Sequence, residues 1–172
     1  MTPHDRLQPA LLDRLTDLDP QSQVESEDSR VMNKARMREA VLRDLSWLLN
    51  AVQPLGAQQA AVYPEAAASV LNYGLPPLSG QLASRIDIGT LERILKQAIL
   101  GFEPRILADT LRVQAIETDS VLDTHNVIEF EISGFIWAQP APLEMLLRTQ
   151  LDLEAGQVVV REARTASTRR RA

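Results

Sequence analysis

IGTLERILKQAILGFEPRILADTLRVQAIETDSVLDTHNVIEFEISGFIW, residues Ile88–Trp137, holds the change of periodicity that decides the fold. At its start Ile88, Leu91, Leu95, Ala98, Ile99 and Phe102 recur at steps of three and four, the spacing of one helix face. Arg93, Lys96 and Gln97 fall between them and face water, and Asp87 is placed to cap the first turn. Pro104 stops the helix and pushes Glu103 towards an extended backbone. From Thr110 the period becomes two: Leu111, Val113 and Ala115 alternate with Arg112 and Gln114. Ile128, Phe130 and Ile132 then alternate with Glu129, Glu131 and Ser133 over Val127–Trp137. Helix, corner, strand, turn, strand is the resulting order.

Further strands follow. Leu147, Thr149, Leu151 and Leu153 alternate with Arg148, Gln150 and Asp152. Glu154-Ala155-Gly156-Gln157 is a hairpin turn in which glycine supplies a positive φ, and Val158-Val159-Val160 returns from it. Gly134 suggests a bulge or bend that re-aims Phe135 and Trp137. These segments predict an α+β fold, an antiparallel meander of about three to four strands packed against several helices.

Towards the N-terminus, Leu7, Leu11, Leu15 and Leu18 form one stripe of a short amphipathic helix. The stripe must be buried on its own domain or on a neighbouring protein. The polar, acidic run after Pro20 reads as a linker. Arg30–Val52 is a longer helix with Met37, Val41, Leu45, Leu48 and Val52 as its main face, widened by Leu42 and Leu49. Trp47 lies off that face, as a partner contact or as cover over a second layer. Ala57–Leu82 is less regular: Pro64 opens a short helical run to Leu71, and Gly74, Gly80, Pro76 and Pro77 then mark a loop. The chain thus divides into an N-terminal helix (1–19), a flexible acidic linker (20–29), one α+β domain (30–163) and a disordered basic tail (164–172).

Composition narrows the function. With 172 residues, 45% of them hydrophobic, the chain can build a real core. No apolar run reaches membrane-spanning length, and the start lacks the layout of a secretory signal. A cysteine count of zero removes disulfides, thiol catalysis and thiolate metal sites, and suits a reducing cytoplasm. Net charge is −5. The tail takes four of the 18 basic residues, leaving 14 against 23 acidic ones, or −9, in residues 1–163. An acidic body argues against nucleic acid as the main partner.

Enzymatic chemistry finds little support. His4 and His125 are the only histidines, one near the terminus and one in a predicted turn, whereas metal sites need three or four converging ligands. Glu129 and Glu131 share a strand face and can mimic a two-carboxylate hydrolase site, but a solvated outer face explains them more simply. Glu103 and Arg105 remain. Two residues apart in an extended segment, they lie on the same side. They can pair with each other, or each can reach another chain through arginine's directional fork. Spacing leaves both open.

Five stretches in order carry a resemblance: Leu11-Leu12-Asp13-Arg14-Leu15, Val41–Asn50, Ser69–Pro76, Ala98–Arg105 and Leu151–Gly156. Together they resemble the TssE family, the small baseplate subunits of bacterial type VI secretion systems. The chain is thereby similar to the wedge proteins of contractile phage tails, historically labelled "lysozyme-like". The resemblance implies a cytoplasmic, non-enzymatic assembly protein without cofactor or metal. It implies that Phe102, Glu103, Pro104 and Arg105 dock onto the wedge subunits TssF and TssG, the proline holding the two charges outward. It also implies that Val158, Val159 and Val160 meet the sheath proteins TssB and TssC, with TssK and the spike protein VgrG nearby. Membrane insertion and nucleic-acid binding are not expected. A peptidoglycan-cleaving glycosidase and a regulatory adaptor of related fold are the alternatives.

Overall fold

Asn33 starts the longest helix, α2 (Lys34–Asn50), by accepting the Arg36 amide on its side-chain oxygen at 2.8 Å. The computed structural model describes residues 9–16, 21, 32–78, 87–116 and 127–163. The expected linker (Gln21 apart), basic tail, Gly80 and the turn containing His125 lie outside those residues, as does His4. Preceding α2 is a short helix, α1 (Leu11–Leu15). After it come α3 (Ala57–Val62), α4 (Pro64–Ala67), a 3₁₀ turn (Val70–Asn72) and α5 (Ile88–Phe102). The strands are β1 (Arg112–Ala115), β2 (Val127–Ile136), β3 (Leu143–Asp152) and β4 (Gln157–Glu162).

The strands pair in chain order, each antiparallel to the next, as one four-stranded sheet. Alternation along β2 and β3 sends Phe130, Ile132, Ile136, Leu143, Met145, Leu147, Thr149 and Leu151 to one buried face. Helices α2 and α5 cover that face. The first contributes Met37, Ala40, Val41, Leu45, Leu48 and Leu49, the second Leu91, Leu95, Ala98 and Ile99. Each fully buried Leu, Ile or Phe stabilises by about 1.5–3 kcal/mol, so packing rather than helix propensity holds the two layers together. The α+β meander expected from periodicity is what the chain forms.

Several expectations need correction. Gly134 makes no bulge: pairing of β2 with β3 runs unbroken from Val127↔Asp152 to Ile136↔Leu143. Simple alternation puts Phe135 and Trp137 on the outer face, and a Cβ on Gly134 would sit at an ordinary 3.4 Å from Leu111. Val52 is no part of the α2 face; it is exposed and bridges to Leu75. Leu11 and Leu15 are 70% and 74% exposed, so among the described residues their stripe is not buried on its own domain. Helix α3 was not anticipated, because Ala-Gln-Gln-Ala-Ala-Val has no apolar stripe to read. Gly156 does adopt a positive φ, 66°, in the β3–β4 turn.

Candidate functional site at a clamped corner

The corner after α5 is a β-turn. The Ile106 amide donates to the Glu103 carbonyl at 3.2 Å, which places Pro104 at the second turn position, where its fixed φ is favoured. Beyond the turn the chain joins the sheet: the Trp137 amide donates to the Arg105 carbonyl at 2.7 Å, and Leu107 to Phe135 at 2.8 Å. The corner therefore lies alongside the end of β2, ahead of β1.

Its charges face inward. Glu103 is only 4% exposed. Arg105 grips it with two prongs, Nε to Oε1 at 2.7 Å and Nη2 to Oε2 at 2.5 Å, and Nη2 also reaches Asp44 Oδ2 at 2.5 Å. Asp44 in turn accepts Arg43 Nε at 2.8 Å, and Arg43 Nη1 reaches Asp13 of α1 at 2.6 Å. A chain of three carboxylates and two guanidiniums thus links α1, α2 and the corner. The expected outward pair is corrected on this point: the short i, i+2 separation and the nearby Asp44 turn both side chains back onto the protein. Pro104 is the exposed member of the corner. Phe102 packs edge-to-face on Tyr73, ring centres 5.2 Å apart.

Electrostatics follow the geometry. Burial works against the charged Arg105 guanidinium, but its hydrogen bonds to Glu103 and Asp44 and their negative charge outweigh that and raise its pKa above the ordinary arginine value. Arg43 is raised chiefly through its hydrogen bond to Asp13; burial opposes the shift and Asp44 adds to it. Arg43 also lies 5.2 Å from the ring centre of Trp47, which is 52% exposed. Trp47 is therefore a surface residue, not a cover over a second layer.

Tyr73 reports on the same charges. Burial first, then Asp44 and Glu103, hold its phenol above the ordinary value of 10.0. A folded state that keeps the proton longer has that contribution intact below the unfolded pKa and loses it as pH rises through the folded one. The wild-type melting temperature should therefore fall as pH climbs past about 10, and Tyr73→Phe should fall less steeply. Identical alkaline slopes for the two proteins would refute this role of Tyr73.

Of the other predicted site residues, Val158 is buried, Val160 half-buried and Val159 44% exposed, all on the edge strand β4. The structure does not bring them to the corner; Val159 and Val160 lie at a separate surface on β4, with Val158 buried beneath it. Glu129 and Glu131 lie on the outer sheet face, and Glu129 accepts the Gln150 amide at 2.7 Å. Asp44 and Tyr73 were missed by sequence reading. Their only signal is membership of the stretches Val41–Asn50 and Ser69–Pro76.

A two-layer α+β protein with an ion-clamped helix-to-sheet corner is the class that this geometry defines. Residues 35–141, more than half of the chain, match the family described as baseplate wedge protein gp25, and the chain belongs to that family. The match runs from α2 through the corner and past β2, leaving β3 and β4 beyond it. No curated protein and no solved structure matches the chain. The family is one of structural baseplate proteins. Among the described residues no helix is long and apolar enough to cross a membrane.

Proposed function

We propose that the protein is the TssE-type baseplate subunit of a type VI secretion apparatus. The observation that carries this is the family match across α2, α5 and the corner, joined to the five stretches that resemble TssE. The corner Phe102–Arg105 docks onto the wedge pair TssF and TssG. Pro104 and the turn backbone form its contact surface, while Glu103 and Arg105 act as internal supports that fix the turn. Strand β4, with Val158, Val159 and Val160, faces the sheath proteins TssB and TssC and gives them an edge on which to start. TssK and VgrG lie in the same cytoplasmic assembly.

Co-expression tests the reading directly. Tagged full-length protein should recover TssF and TssG together from cells that express all three. A folded protein, verified by its circular dichroism, that recovers neither wedge subunit overturns it.

A further inference from the structure

Each edge of the sheet is blocked at one position by a side chain from a helix. On β1 the outward amide of Ala115 donates to Glu92 Oε1 of α5 at 2.7 Å. On β4 the blocker is Asn50, the last residue of α2. Its Oδ1 accepts the Val158 amide at 2.9 Å and its Nδ2 donates to the Val158 carbonyl at 2.8 Å. A single amide side chain thus supplies the donor and the acceptor that a neighbouring strand would offer. Nδ2 is anchored as well to the Ser46 carbonyl at 2.7 Å.

The pairing register shows what is left open. Ala163 donates towards β3, to the Leu146 carbonyl at 2.9 Å, so odd-numbered residues of β4 face β3 and even-numbered ones face outward. Val158, Val160 and Glu162 are the outward set. Among the described residues no group meets the outward amides of Val160 and Glu162. Between these two, Arg161 points to the outer face directly opposite Arg148, and Arg148 lies opposite Glu131 on its other side. Two arginines against one glutamate leave that row one positive charge in excess at the open edge, and like charges facing each other across strands are unfavourable.

We propose that Asn50 closes the first half of the β4 edge and so registers an added strand on Val160 and Glu162, the strand carrying a carboxylate opposite Arg161. This rests on the reading of β4 as the sheath-facing edge. The occupant is an extended segment of a partner protein with an acidic residue on its outer face. Backbone pairing supplies the attachment, and the Arg161–Arg148 row selects the charge.

Amide hydrogen exchange on the full-length chain, read by NMR, tests both parts. In the free protein the Val158 amide should exchange about tenfold or more slowly relative to Val160 and Glu162. Asn50→Ala should speed Val158 exchange about five- to tenfold, while Asn50→Asp, which keeps the acceptor, should preserve most of the protection. Equal exchange at Val158 and Val160 in the wild type overturns the plug, whatever the sheath does. Adding the TssB–TssC pair should then protect Val160 and Glu162 and leave Val158 unchanged, and Arg161→Glu should weaken binding about fivefold or more. If Val158 is protected in the free protein but the sheath pair alters none of the three amides, the sheath reading and the acid match both fail and the plug stands. Unchanged affinity in Arg161→Glu overturns the acid match alone.

Discussion

Arg105→Ala is expected to destabilise the folded chain by about 3–5 kcal/mol, because it strands the Glu103 carboxylate in a buried position without its partner. The loss should appear as a fall in melting temperature of roughly 10 °C. Glu103 is 4% exposed, and among the described side chains Arg105 is its only ion-pair partner. Removing both charges together, as Glu103→Leu with Arg105→Met, should recover most of the stability, since paired desolvation costs vanish with the pair. A loss under about 1 kcal/mol for Arg105→Ala would mean a solvated bridge. An outward docking pair would behave in that second way, leaving stability nearly untouched. Lost wedge binding in Arg105→Ala therefore does not by itself make Arg105 a contact residue, because the turn that carries Pro104 loosens with it.

Gly74→Ala should cost about 4 kcal/mol, the sum of an unfavourable backbone region and a steric conflict. Gly74 has φ +120°, and an added Cβ would collide with the Ala51 carbonyl oxygen and lie 2.5 Å from its carbon. Relief is blocked by a strap of hydrogen bonds on either side. Leu75 donates to Ala51 and Gln53 to Leu75, both at 2.8 Å, while Gln53 Nε2 reaches the Gly74 carbonyl at 2.9 Å. The strap holds Asn72, whose Oδ1 accepts the Leu55 amide and whose Nδ2 donates to the Ala67 carbonyl, and it holds Tyr73 against Phe102. Gly56→Ala is the control: nothing lies within 4 Å of its added Cβ, and as the N-cap of α3 it should lose no more than about 1 kcal/mol. Urea midpoints for the two variants decide the matter; equal midpoints would show that the strap yields.

Periodicity carried the fold a long way. The helix Ile88–Phe102 ends where its spacing and Pro104 place it, and the faces of β3 and the glycine of its hairpin follow from alternation. What spacing could not convey was distance. Asp44 lies 61 residues from Arg105 in the chain, so an expectation built on Glu103 and Arg105 alone left them free to point outward. The same limit hid Asn50, which reads as an ordinary helix end until Val158, 108 residues away, is folded against it. Gly134 misled for the opposite reason: a local cue for a bulge yields where ten consecutive pairs already fix the strand. The exposed Leu11 and Leu15 show that an amphipathic pattern requires a covering surface without saying whose it is.

Pro104 also acts where no native contact exists. Its ring fixes one backbone angle in the unfolded chain as firmly as in the native turn, so fewer disordered arrangements separate Glu103 from Arg105. Opposite charges two residues apart on a stiffened segment meet often even before folding, and part of the ordering cost of their pairing is removed in advance. Pro104 is thus a preorganising residue for the ion pair as well as the outermost residue of the corner.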